Sequence, residues 1–198
     1  MPRPRSKSRE ELIARAMPLF WRQGYHATSM DALVKATGVA RGGIYADFEG
    51  KDGLFRACLE AYRQLVAGPA IALLHAEGAG IEAIRAYFDF FIAKHERNGM
   101  PGPGCFVANA MTEMAPHDAE IAEIVSAHNR ALQMAFLQCL KNARGASAKL
   151  SNAELEELAE FLVTSSQGLW SYARSTKDIG SLRNFSQTLV RLLETRMR

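Results

Sequence analysis

Cysteine is scarce in this sequence: Cys58, Cys105 and Cys139 are the three among 198 residues, with no paired spacing. An odd, unpaired set excludes a disulfide framework and points to a reducing, cytoplasmic setting. Long apolar runs are missing too, and none approaches the ~20 residues that a membrane-spanning helix needs. The opening MPRPRSKSRE is basic but lacks the hydrophobic stretch of a secretory signal. Period-two alternation of apolar and polar residues does not rise above background, so no strands are expected. His75, His95, His117 and His128 have no metal-ligand spacing with cysteines or acids, and neither a zinc site nor any cofactor is expected. A net excess of one charge sign is nearly missing overall, because 24 Lys and Arg stand against 21 Asp and Glu. The small excess is unevenly placed. Residues 1–53 carry nine of the basic residues and six of the acids, and residues 54–198 carry fifteen of each. A basic excess confined to one end is the electrostatic footprint of a part that meets a polyanion.

What the sequence does have is helical periodicity along its whole length, which predicts an all-α protein. The spacing divides it into a small N-terminal helical domain, 1–53, and a larger helical domain, 54–198. Residues 1–7 are Pro-rich and basic. They read as a solvated arm, or alternatively as a strand that follows a phosphate backbone or enters a minor groove. Ser8 and Glu11 form a capping box that opens the first helix. Its buried face is Leu12, Ala16, Leu19 and Phe20, and Gly24 stops it. Pro18 inside it predicts a kink, since an interior proline costs about 3 kcal/mol in an unrelieved helix. A connecting helix starts at Lys51 and runs through Leu54, Phe55, Cys58, Leu59, Tyr62 and Val66, and Gly68-Pro69 is expected to bend or interrupt it. Further helices are predicted over 81–95, 105–114, 118–143 and 151–174, with a last one from 178 or 181. NGMPGPG, 98–104, is the strongest breaker, and 145–150 is a loop.

The stretch from Thr28 to Lys51 holds two short helical patterns separated by Gly38-Val39. The first places Met30, Leu33, Val34 and Thr37 on one side. Thr28 is expected to be its N-cap, with Asp31 answering the exposed N–H groups. Gly38 stands at a sharp turn, where glycine reaches positive φ without a steric penalty. The second pattern opens with Ala40, Arg41, Gly42 and Gly43 and ends in Tyr45 and Phe48. Two short helices around a tight turn make a helix-turn-helix, whose second helix enters the DNA major groove. Arg41 offers a fork of donors to phosphate or guanine, and the bare glycines let backbone approach DNA closely. Ile44 and Phe48 are expected to pack inward while the Tyr45 hydroxyl reaches a phosphate. The DNA-facing set is therefore Thr28, Ala40, Arg41, Gly42, Gly43, Tyr45 and Lys51.

The N-terminal segment resembles the DNA-binding domain of the TetR family of transcriptional regulators. The matching residues are Phe20, Gly24-Tyr25, Thr28-Ser29, Gly38-Val39, Gly42, Ile44-Tyr45, Phe48, Lys51 and Leu54-Phe55. Asp47 departs from the pattern, standing where the family often has His. The resemblance implies a homodimer held by the last two helices, a palindromic double-stranded operator, and an effector pocket in the larger domain. Leu155, Leu158, Leu162, Leu169 and Trp170, then Leu182, Phe185, Leu189, Leu192 and Leu193, form the apolar faces of those two helices. They serve either a monomer core or a four-helix interface. Phe88, Phe91, Phe106, Met111, Met114 and Trp170 are candidates to line the pocket, though residues at helical spacing also form ordinary cores. The effector, a small molecule or an electrophile, is not named by any polar constellation.

Gly104-Cys105-Phe106 with Asn109 and Glu113 resembles a GC…N…E pattern of one branch of the family, in some members of which the cysteine senses oxidants or electrophiles. Cys105 also stands at a predicted helix N-terminus, where exposed N–H groups stabilise a thiolate. The bland alternative is a small apolar residue packed at a helix start. Cys58 and Cys139 fall on apolar faces and read as core. The function expected first is a DNA-binding transcriptional regulator, a repressor. The alternative is a thiol-dependent helical enzyme using Cys105 as nucleophile with His117 or His128 as base.

Overall fold

The computed structural model describes residues 8–144 and 150–197. The predicted arm, 1–7, and most of the predicted loop, 145–150, lie outside the described residues. Every regular element among the described residues is helical: α1 (Arg9–Gln23), α2 (Met30–Thr37), α3 (Arg41–Phe48), α4 (Lys51–Tyr62), a π-helical turn (Arg63–Ala67), α5 (Gly68–Leu74), α6 (Ile81–Asn98), α7 (Phe106–Glu113), α8 (Ala119–Ala143), α9 (Asn152–Tyr172) and α10 (Ile179–Met197).

The ends of these helices are set by local chemistry. Ser8 Oγ accepts from the Glu11 N–H, and the Glu11 carboxylate accepts from the Ser8 N–H, closing the expected capping box. Ser151 and Glu154 repeat the arrangement at α9. Such caps contribute about 1 kcal/mol each. Asp118 caps α8 through the N–H groups of Glu120 and Ile121. Pro18 lies inside α1, and the helix continues past it to Gln23. The regular α-helix is interrupted before Gly68-Pro69, as expected, but by a π-helical turn, so the helical path itself runs on from Lys51 to Leu74. A proline lacks an N–H and crowds the carbonyl four residues earlier. The π-helical turn just before it widens the backbone there and relieves that crowding.

One buried core runs through both parts of the chain, and α4 belongs to both. In the N-terminal part, Leu12, Phe20, Leu33, Ile44, Leu54 and Leu59 are fully buried, and α4 packs on both α1 and α3. The Phe20 and Phe55 rings meet edge to face at 5.1 Å. In the larger part, α8 packs on α9, and α6 packs on both α5 and α10. Phe88 stacks on Phe136 at 6.3 Å and lies 6.1 Å from Trp170. The far side of α4 turns toward α7, where Phe106 sits edge-on to Phe55 at 5.3 Å and to Tyr62 at 5.8 Å. α4 thus touches α7 on one side and α3 on the other.

Candidate nucleic-acid interface

The turn between α2 and α3 is built as the sequence predicts. Gly38 ends α2 in the left-handed region, φ 67° and ψ 21°, and its N–H returns to the Val34 carbonyl at 2.8 Å. Ile44 and Phe48, one helical turn apart, bury the inner side of α3. The opposite side then faces outward by helical spacing: Arg41, Gly42, Tyr45 and Ala46 are exposed, Tyr45 by 53 %. Ala40 also lies at the surface, and Gly43 is half-buried. Phe48 packs underneath while the Tyr45 ring stays outside.

The N-terminus of α3 has no side-chain cap and no acid in its first turn. Its free N–H groups and the positive end of its dipole are complementary to an anion. Arg41 at this end is held by Asp31 of α2 at 3.0 Å, both side chains well exposed. An exposed pair of this kind contributes about 0–1 kcal/mol, so phosphate can displace the carboxylate readily. At the other end, Arg9 of α1 donates to the Asp47 carbonyl and lays its guanidinium 4.2 Å from the Phe48 ring centroid. Reading the sequence did not single out Arg9. A cation in the first turn of a helix opposes that helix's own dipole, which is the signal that its partner lies elsewhere. Here the partner is the negative end of α3.

Two members of the expected DNA-facing set have other duties. Thr28 is fully buried and its hydroxyl donates to the Gly24 carbonyl at 2.6 Å, so it braces the α1–α2 turn. The N-cap of α2 is Ser29, which accepts from the Ala32 N–H, and Asp31 pairs with Arg41 instead of completing a cap. Burial separates these two adjacent hydroxyl residues. Lys51 opens α4 as expected, but its ammonium lies 4.1 Å from the Tyr25 ring centroid. Desolvation there lowers its pKa, against the opposing influence of Asp52 and Glu113. Tyr25 in turn donates its hydroxyl to Asp52, and burial with that bond pushes its own pKa up to about 12.

Burial works against the thiolate expected at Cys105. Cys105 is the N-cap of α7, yet it is 5 % exposed and burial raises its thiol pKa. The Tyr62 side chain and the Ala108 and Val107 N–H groups act in the opposite direction and are outweighed. Removal of water from a thiolate dominates over the helix terminus. Neither His117 nor His128 is among the groups acting on it. His128 is itself buried, and its pKa falls to about 4. Cys58 and Cys139 are buried core residues.

Among the described residues, none of the cavities identified is lined by the six candidate pocket residues together. Phe88, Phe91 and Trp170 pack on one another, with Phe91 and Trp170 at 5.0 Å. Phe106 belongs to the Tyr62–Phe55 contact on α7, where Met114 is buried and Met111 half-buried. Rings at helical spacing fill each other's space. Phe91 borders a void of about 10 Å³ beside Trp21 and Gly104, too small for an effector. A groove of about 510 Å³ lies between α1 and α4, and none of the six lines it.

Known proteins share both the motif and the whole architecture. The family described as "Bacterial regulatory proteins, tetR family" matches residues 12–58, and "Tetracyclin repressor-like, C-terminal domain" matches residues 80–189. The HTH-type transcriptional repressor ComR of Escherichia coli (strain K12) is 34% identical over 193 residues, covering 96% of this chain and 90% of ComR. The regulatory protein TetR from Rhodobacter sphaeroides superposes with a TM-score of 0.82 at 21% identity, over 94% of this chain and 98% of that one. A cysteine-substituted mutant of the TetR family regulator CifR, complexed with 26 bp double-strand operator DNA, superposes with a TM-score of 0.78 at 25% identity, over 96% and 98% of the two chains. With its helix-turn-helix, its larger helical domain and these matches over nearly its full length, the chain belongs to the TetR family of DNA-binding transcriptional regulators.

Proposed function

We propose that the chain is a homodimeric repressor that holds a palindromic double-stranded operator and releases it when an effector alters its larger domain. The observation that carries this is the outer face of α3, where Arg41, Gly42 and Tyr45 surround an uncapped helix N-terminus. Arg41 and Tyr45 are assigned to phosphates or base edges, and Gly42 to the close approach of backbone. Lys51 contributes long-range charge from its place on Tyr25. CifR is a structural relative complexed with operator DNA, and ComR is a repressor by name, which supports both halves of the reading. The pattern Gly104-Cys105, Asn109 and Glu113 supports placing the chain in the branch of the family that it resembles.

The dimer is proposed on α9 and α10. Most of the apolar residues expected there belong to the monomer core: Leu155, Leu162, Leu169, Trp170, Leu182, Leu189 and Leu193 are buried. Other residues remain outside. Phe161 and Tyr172 of α9 are 51 % and 50 % exposed, and Leu192 of α10 is 59 % exposed. Ser165 and Gly168 lie between the two α9 aromatics on the same helical face, leaving a groove of about 350 Å³ against Ser181 and Phe185. Large side chains beside small ones suit interdigitation with a second copy. A small molecule is favoured over thiol modification as the releasing signal, because Cys105 is buried and burial raises its thiol pKa.

Selection of bound duplexes from a random library by the full-length protein tests the proposal. The expected result is a palindrome with half-site centres about 34–36 Å apart. Enrichment of no sequence, or of a single unrepeated site, would sink it.

A further inference from the structure

We propose that Asn109 and Glu113 are positioning residues for operator binding, forming a polar latch from α7 onto the end of α1 that fixes the attitude of α3. The proposal rests on the DNA-binding reading above. The Glu113 carboxylate accepts one hydrogen bond per oxygen, from the Tyr25 N–H at 3.0 Å and the His26 N–H at 2.9 Å. Buried Asn109 donates its amide to the Trp21 carbonyl at 3.3 Å and to the Pro103 carbonyl at 2.9 Å. The Trp21 indole N–H donates to the Gly104 carbonyl at 3.0 Å. All of these bonds except the one to Pro103 join segments more than eighty residues apart in sequence.

Their targets are the backbone groups that a helix end leaves without partners. The Trp21 carbonyl lies in the last turn of α1, and the Tyr25 and His26 N–H groups lie in the turn beyond it. Side chains of the larger domain satisfy them in place of water. Gly24 makes room for this. A Cβ there would stand 2.6 Å from a Glu113 carboxylate oxygen, and φ of 86° is unfavourable for other residues. Lys51 adds a favourable positive charge near the same carboxylate.

The consequence is geometrical. Held through α4 alone, the three N-terminal helices would be attached to the larger domain along one line and could turn about it. The latch attaches them off that line, at the α1–α2 turn, beside a longer bond from Arg174 to the Arg22 carbonyl at 3.5 Å and the Lys94 ammonium 5.5 Å from the Trp21 ring centroid. Attachment off the line fixes the rotation, and in a dimer it fixes the separation of the two α3 helices. Without the latch each half binds DNA as before, but the pair pays more orientational freedom on binding and no longer selects one spacing.

The test uses the full-length protein and the palindrome it selects from the random library, with a second duplex carrying one inserted base pair between half-sites and a third carrying one half-site. Glu113→Gln and Asn109→Ala are expected to bind the selected palindrome about tenfold more weakly than wild type. Their preference for it over the widened duplex should fall toward one, with half-site binding unchanged. Trp21→Phe keeps the ring against Tyr62 and removes the indole donor, so it carries the same test if either polar variant fails to fold. A spacing preference equal to that of wild type in the folded variants overturns the latch, even where overall affinity drops. Failure of the wild type to enrich any palindrome instead removes the DNA-binding reading, and the latch with it.

Discussion

Gly42 and Gly43 are neighbours on α3 that answer to different constraints. A Cβ at Gly43 would meet Val39 Cγ1 at 2.7 Å, whereas at Gly42 nothing lies within 4 Å. The protein itself therefore gives no reason for glycine at 42, and glycine in an open helical position costs about 1 kcal/mol relative to alanine. Gly42→Ala should raise stability in urea titration by up to about 1 kcal/mol and at the same time weaken operator binding. Tighter or unchanged DNA binding in that variant would remove Gly42 from the interface. His128 gives a second test at this scale. Burial, with Arg63 nearby, holds its pKa near 4, while Glu60 opposes the shift. A depressed pKa means that the unfolded chain takes up a proton first as pH falls. The stability contribution is complete above about pH 6.5 and is lost between there and about pH 4, amounting to roughly 3 kcal/mol. His128→Leu should flatten the stability profile across that window, and an unchanged profile would show the histidine to be solvated.

At the scale of elements, much was legible because it is local. Gly38, the Ser8 and Ser151 capping boxes and the inward Ile44 and Phe48 follow from spacing and from side-chain chemistry within a turn or two. What was not legible depends on distant contacts. Thr28 and Ser29 are chemically equivalent as caps until the Gly24 carbonyl claims the first. The helix terminus at Cys105 favours a thiolate, but burial by residues distant in sequence outweighs it and raises the thiol pKa. The division of α9 and α10 between core and exterior likewise depends on α8 and α6, which pack on them. That division makes a prediction for the dimer: Phe161→Glu or Leu192→Glu places a carboxylate at an exposed position, so the monomer fold should survive. Sedimentation should show the dimer dissociating at micromolar concentration, with operator affinity falling in parallel. A dimer of undiminished stability would place the interface elsewhere.

For the molecule as a whole, function depends on an asymmetry of charge joined to a rigid frame. The basic excess of the sequence lies wholly within residues 1–53, and the exposed face of α3 gives it direction. α4 and α7 then connect that face to a larger body whose core lies around Phe88, Phe136 and Trp170. A ligand in the body can shift operator affinity only by binding two arrangements of this frame unequally. All of this requires α3 to be the part that meets DNA. Titration of the selected operator by wild type, Arg41→Ala and Tyr45→Phe over a range of salt concentrations tests that directly. Both variants should bind more weakly while remaining dimeric. If Arg41 meets a phosphate, Arg41→Ala should also lower the salt slope by about one for each Arg41 engaged. Affinities and slopes equal to those of wild type in both variants would contradict the assignment of α3 as the recognition helix.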